Sequence, residues 1–201
     1  MTSRALATCD KILAAAEKLF LEKNYAEVTM DQITREANLT KGGLYHHFSS
    51  KEELYLAMMG ADLAAKQELL SESLEQPGDC RSRLQRLATA FFELPAAKQR
   101  LIHLVRRDAN VFADPTRIKL IKTYQNALPN LIEKVLREAI HEGELQHWDP
   151  RILAWQFVAM VEVTLANYAV QVLGDTTTKV DFLLDLFFNG VSRAGVVQAV
   201  S

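Results

Sequence analysis

VTMDQITREANLTKGGLYHHFSSK, residues 28–51, packs three helix starts into one short span. Thr29 followed by Gln32 has the spacing of a capping box, Thr40 is a hydroxyl N-cap, and Ser50 followed by Glu53 repeats the box. Ile33 and Ala37 share one helical face, and Leu39 falls in the joint, where an apolar plug is wanted. Asn38 is suited to turn the corner, because asparagine tolerates positive φ better than other non-glycine residues. The spacing therefore predicts a helix-turn-helix over residues 29–48, the unit that lays its second helix in a DNA major groove.

The second helix, Lys41 to Phe48, has suitable chemistry. Gly42 and Gly43 each cost about 1 kcal/mol against alanine in a helix, which makes sense where a phosphate or base edge must approach the backbone closely. Thr40 and the free amides at the helix start suit a phosphate oxygen, Lys41 and Lys51 supply cations, and Tyr45 and His46 can exchange hydrogen bonds at the same surface. On these residues alone, a helical hairpin with a solvated charged edge fits the same pattern.

The run from Asp10 to Met58, and above all TKGGLYHHFSSKEEL, closely resembles the N-terminal domain of tetracycline-repressor (TetR) family regulators. The resemblance covers the first third of the chain; the remainder matches the family only in length and helical character. It implies that Thr29, Thr40, Lys41, Gly42, Gly43, Tyr45, His46 and Lys51 lie at or near DNA. Three positions depart from the family pattern: Thr34 where alanine is usual, Asn38 where glycine is common, and Gly43 where a small side chain is usual. The last leaves the recognition helix poorer in base-reading groups.

At 201 residues, 49% hydrophobic and 24% charged, the chain has the composition of a globular protein of one or two domains. The net charge of −2 is unevenly spread: seven bases and six acids through Lys51 give +1, and the other 150 residues carry −3. An acidic body behind a mildly basic head is compatible with steering toward DNA. Cys9 and Cys80 form neither a metal-ligand spacing nor a disulfide framework, which points to reduced thiols in a cytoplasm. Residues 1–20 lack the continuous apolar core of a signal peptide, and Gln156, Glu162, Asn167 and Gln171 interrupt the longest apolar stretch, so no membrane span is expected.

Helical periodicity continues throughout, with no strand-period run and no internal repeat. A first helix is expected over Ala5–Lys23, and a longer one from Lys51 to about Ser73, ended by Gln76, Pro77 and Gly78. Further helices carry Leu84, Leu87 and Phe91, then, after Pro95, Leu101, Leu104 and Val105. Asp114 before Pro115 opens a segment to about His141 that Pro129 should kink or split and Gly143 should close. Asp149 before Pro150 starts another helix, and Thr178 followed by Asp181 predicts the cap of a last one reaching about Ala194. The expected fold is all-α: a helix-turn-helix domain over 5–65 and a helical effector-binding and dimerisation domain over 66–201.

The last two helices are apolar on more than one side, so one side should pack on the body and another on a second subunit, as the family resemblance also implies. Val158, Val161, Leu165, Leu184, Phe187 and Val191 are the candidate interface. An effector pocket would combine apolar walls with a few polar groups; the candidates are His103, Arg107, Tyr124, Trp155, Glu162 and Asn167. No catalytic or metal constellation is evident: His46 and His47 point in different directions, the cysteines lack a neighbouring base, and neither a phosphate-cradling glycine loop nor zinc-type spacing occurs, so no cofactor is expected. The sequence thus reads as a homodimeric, DNA-binding repressor of a near-palindromic operator, released by a largely apolar small molecule. A helical protein-interaction module without DNA binding is the alternative.

Overall fold

A computed structural model describes residues 3–191, with the side chains of residues 5–189. The described residues form twelve α-helices, two 3-10 turns and no strand. In order the helices are α1 (Ser3–Glu22), α2 (Met30–Glu36), α3 (Lys41–His47), α4 (Lys51–Ser73), α5 (Cys80–Phe92) and α6 (Ala96–Arg100). There follow α7 (Ile102–Asp108), α8 (Thr116–Ala127), α9 (Pro129–His141), α10 (Pro150–Thr164), α11 (Asn167–Leu173) and α12 (Thr176–Val191). The predicted continuation of α12 to Ala194 lies outside the described residues. Backbone contacts define two compact units, one of Met1–Ala65 with Ala96–Tyr124, the other of Lys66–Pro95 with Gln125–Ser201. Residues 96–124 thus group with the head rather than with the remainder of the chain.

In the first unit α1 packs on α2 and α2 on α3, with Ile12, Ala16 and Phe20 of α1, Ile33 of α2 and Leu44 of α3 all fully buried. Phe20, Tyr25, Tyr55 and Phe112 form an aromatic cluster, with ring centroids 4.9 Å apart for Phe20–Tyr55 and 4.8 Å for Tyr25–Phe112. Beside it the Tyr55 hydroxyl donates to Asp108 Oδ2 at 3.1 Å. Arg107 grips the same carboxylate with Nε and Nη2 at 2.8 and 2.7 Å, and Nη2 also donates to the Phe20 carbonyl at 2.9 Å. One guanidinium therefore neutralises a buried acid and ties α7 to the end of α1. Burial and the adjacent Asp108 carboxylate hold the Tyr55 hydroxyl protonated, well above the ordinary tyrosine range.

In the second unit α9 packs on α10 and α5, and α12 packs on α5 and α10. Val180, Leu183, Leu184 and Phe187 are the inner stripe of α12, and Phe187 meets Phe157 of α10 edge-on at 5.2 Å. Polar ties hold the rim: Arg83 donates to Glu138 at 2.6 Å, and the Cys80 amide to Glu144 at 2.7 Å. Burial pushes the Cys80 thiol up to about 12, so it stays protonated.

The chain punctuation matches the sequence reading at most points. Pro129 splits the predicted long segment, standing at the first position of α9 after Leu128, where its missing amide costs nothing. Asp149 accepts the amides of Arg151 and Ile152 at 2.9 and 3.0 Å, and Gly143 takes φ +80° to close α9. The cap of α12 differs from the one expected: Asp175, not Thr178, accepts, taking the Thr178 amide at 2.9 Å, because the helix starts at Thr176. The helix after Pro95 divides into α6 and α7 around Leu101. A break after Thr164 separates α10 from α11, bent by 81°, and was not expected. There the Thr164 hydroxyl donates to the Val161 carbonyl at 2.7 Å, a back-bond that competes with the helix ladder. No single helix among the described residues is long and apolar enough to cross a membrane.

Replacing Arg107 with alanine leaves the Asp108 carboxylate buried beside Tyr55 without its cation, and should lower unfolding stability by about 1–3 kcal/mol, since the arginine itself is part-exposed. Arg107→Lys should recover only part of that, since an ammonium lacks the fork that serves one carboxylate and one carbonyl together. Urea titration measures both; an Arg107→Ala midpoint equal to wild type would show that the clamp contributes nothing.

Candidate nucleic-acid interface

The helix-turn-helix is fixed at each of its joints by short polar contacts. Thr29 and Gln32 form the complete capping box: the Gln32 amide donates to Thr29 Oγ1 at 3.2 Å and the Thr29 amide to Gln32 Oε1 at 2.8 Å. Asn38 takes φ +54°, as the turn requires, and the Leu39 amide returns to the Thr34 carbonyl at 3.0 Å. Thr34, the departure from the usual alanine, is buried and donates its hydroxyl to the Met30 carbonyl at 2.8 Å, so the larger side chain is satisfied inside its own helix. Thr40 caps α3 by accepting the Gly43 amide at 3.1 Å. At the start of α4 the Glu53 amide donates to Ser50 Oγ at 3.1 Å, while the Glu53 carboxylate reaches back to the Ser49 amide at 2.8 Å, one residue earlier than a capping box would place it.

With Leu44 and Phe48 turned into the core, α3 leaves Lys41, Gly42, Tyr45 and His46 exposed. A Cβ added at Gly42 would meet nothing within 4 Å, so no neighbour among the described residues demands glycine there. At Gly43 a Cβ would come 3.2 Å from Thr40 Oγ1, so this glycine leaves room for the cap. The two glycines, alike in sequence, thus have different roles. Lys41 lies 3.2 Å from Asp31 of α2 and 5.9 Å from the centre of the Tyr45 ring.

Lys51 departs from its expected role. Its ammonium donates to the main-chain carbonyls of Tyr25 and Val28 at 2.7 and 2.8 Å and lies 4.2 Å from the centre of the Tyr25 ring. Burial pulls its pKa below the ordinary lysine value. The cation read from the sequence as a phosphate contact is instead a strut between the start of α4 and the chain connecting α1 to α2.

The interface candidates also face another way than expected. Val158, Val161, Leu165, Leu184 and Phe187 are buried within the protein, and the Val191 side chain lies outside those described. The apolar residues that α10 and α12 expose are Ile152 (60%), Val163 (65%), Phe182 (46%) and Leu186 (55%), and the sequence reading passed over all four as interface. Their signal was present: Val180, Leu183, Leu184 and Phe187 follow the i, i+3, i+4, i+7 core stripe, and Phe182 and Leu186 fall off it.

The effector candidates do not gather in one unit. His103, Arg107 and Tyr124 belong to the first, Trp155, Glu162 and Asn167 to the second. Arg107 is committed to Asp108 and Phe20, and Asn167 is exposed at the first position of α11, so neither has the setting expected of a pocket residue. Tyr124 and Glu162 are buried, and His103 and Trp155 half-buried.

An exposed, glycine-faced helix held by a capped turn defines a helix-turn-helix DNA-binding protein. Residues 12–58 match the family model for bacterial regulatory proteins of the tetR family. The chain is 25% identical over 160 residues to the uncharacterized HTH-type transcriptional regulator YhgD of Bacillus subtilis, covering 80% of this chain and 83% of that protein. Its fold is similar to that of a TetR-family regulatory protein from Rhodococcus RHA1, with TM-score 0.82, 16% identity and coverage of 96% of this chain and 100% of that one. It is similar also to FadR from Bacillus subtilis in complex with stearoyl-CoA, with TM-score 0.75, 18% identity and coverage of 90% and 97%. Residues 12–58 are thus a tetR-family helix-turn-helix domain, and the chain as a whole is similar to DNA-binding transcriptional regulators of that family.

The two lysines should therefore separate. Lys41→Ala should weaken binding to random duplex and lower the slope of log affinity against log salt by about one, with an unchanged melting temperature. Lys51→Ala should instead cost about 1.5–3 kcal/mol of stability, the range for hydrogen bonds that involve a charged group, without moving the slope. Fluorescence anisotropy across a salt series, with thermal melts, measures both; a lower slope for Lys51→Ala at full stability would restore it as a phosphate contact.

Proposed function

We propose that the protein is a homodimeric cytoplasmic repressor that binds a near-palindromic operator through α3 and is released by a largely apolar small molecule held in its helical body, residues 66–201. The observation that carries the DNA half is the exposed face of α3, where Lys41, Gly42, Tyr45 and His46 surround a helix start fixed by Thr40. Lys41 and the first-turn amides suit a phosphate, and the uncrowded backbone at Gly42 admits a groove wall closely. Thr29, Thr40, Lys41, Gly42, Gly43, Tyr45 and His46 form the proposed DNA-facing set, from which Lys51 is withdrawn.

The dimer is proposed through the outer faces of α10 and α12. These two helices pack together and expose Ile152, Val163, Phe182 and Leu186, an apolar area that a two-fold partner would cover with the same residues. Two-fold protein symmetry then maps onto two-fold operator symmetry. For release, α4 is an unbroken helix from Lys51, just after α3, to Ser73, where the chain enters the body. An effector that favours one setting of α4 and an operator that favours another are coupled without touching.

Selection of bound duplexes from a random library should recover inverted repeats with half-sites about one helical turn apart; recovery of unrelated sequences at equal affinity would leave only non-specific binding. Sedimentation of wild type at micromolar concentration should give a dimer, and Phe182→Asp or Leu186→Asp a folded monomer. Leu184→Asp, inside the protomer, should unfold the chain. A wild-type monomer removes the dimer from the proposal.

For release, acyl-coenzyme A thioesters are the first compounds to screen, since stearoyl-CoA is bound in the FadR structure. Linkage requires that operator DNA change effector affinity by the same factor that effector changes DNA affinity, typically worth about 1–3 kcal/mol. Calorimetry with and without saturating operator measures that factor; equal affinities for a compound that releases DNA would contradict coupling through α4.

A further inference from the structure

Lys41 is the cation that α3 offers to DNA, yet it already has an anionic partner within the head. Its ammonium lies 3.2 Å from Asp31 Oδ1, with both side chains more than half exposed, and it leans toward the Tyr45 ring. Asp31 is in the first turn of α2, where a carboxylate complements the helix start. Arg35, one turn on, donates its Nε to the Asp31 main-chain carbonyl at 3.2 Å, a contact that does not occupy the carboxylate. Thr29, Asp31, Lys41, Tyr45 and Lys51 line one cleft between α2, α3 and the start of α4. Lys51 cannot substitute for Lys41 there, since its ammonium is held by the carbonyls of Tyr25 and Val28.

We propose that Asp31 is an affinity-setting residue: it holds Lys41 in an intramolecular ion pair that must open before Lys41 can bind a DNA phosphate, so that DNA competes with Asp31 for one ammonium. The inference rests on α3 being the DNA-binding helix. An exposed pair of this kind is weak, so the competition is real but readily won by a polyanion. Once Lys41 has moved to a phosphate, the Asp31 carboxylate is left facing the backbone of the duplex, which opposes binding further. Both effects act on phosphate affinity and apply to every sequence alike, so they lower non-specific retention without altering which bases are read.

The test is a double-mutant cycle on full-length protein, with duplex DNA in a salt titration: wild type, Asp31→Asn, Lys41→Ala and the double variant. Asp31→Asn should bind random duplex about three- to five-fold tighter at low salt, with a steeper salt slope, and the gain should fall below about two-fold in the Lys41→Ala background. Equal gains in both backgrounds would overturn the gating role and leave only general repulsion between Asp31 and DNA. Weaker binding by folded Asp31→Asn would also overturn it, making Asp31 a contributor to the complex. Failure of wild type to bind any duplex would contradict DNA binding itself, an outcome distinguishable from either. Thermal melts of all four proteins check that the head remains folded.

Discussion

The Lys51 ammonium sits against the Tyr25 ring and donates to two main-chain carbonyls, Tyr25 and Val28, in the connection between α1 and α2. Those carbonyls belong to a segment that α-helical hydrogen bonding does not satisfy, so the lysine supplies donors where the backbone lacks them. The same contact fixes the start of α4 against the segment that launches α2. Tyr25 is stacked in turn on Phe20 and meets Tyr55 and Phe112 edge-on, so the placement of α2 and α3 is set by packing and by one partly buried cation.

This arrangement explains why the head can present so little yet be well defined. The helices that form the turn are only seven residues each, too short to be stable alone. They persist because Ile33, Leu44 and Phe48 are buried in the core of the head and because both starts are capped by threonine hydroxyls. The exposed face of α3 is thereby relieved of any part in the core, and Lys41, Gly42, Tyr45 and His46 remain at the surface, Lys41 beside Asp31. Next to the same aromatic cluster, Arg107, Asp108 and Tyr55 join α7 to α1 and α4, so a displacement of α7 would be felt at the base of the reading head.

Much of the fold was legible from local chemistry. Thr29, Asn38, Thr40, Asp149 and Gly143 act as their residue types and spacing predict, because caps and turns depend on a few neighbouring atoms. Pro129 splits its segment for the same reason. Roles that depend on tertiary context were harder to read. Lys51 has the composition and position of a phosphate contact, but only folding brings the Tyr25 and Val28 carbonyls within its reach. Arg107 resembled a pocket residue until its partners, Asp108 and Phe20, were placed. On α12 the missed distinction was angular: Leu184 and Phe187 share the buried stripe with Val180 and Leu183, while Phe182 and Leu186 face out, and an all-apolar helix hides that difference unless its phase is fixed. The break after Thr164 has no proline or glycine to mark it.

The most direct measurement of DNA recognition by α3 is the titration of a selected duplex into isotope-labelled protein, followed by the amide signals of the head and of α10 and α12. The expected result is that the largest shifts fall at Thr29 and at Thr40 to His46, with the amides of Gly42 and Gly43 among the most affected and the Lys51 ammonium still in contact with its carbonyls. Shifts confined to α10 and α12, with α3 unmoved at saturating DNA, would contradict it.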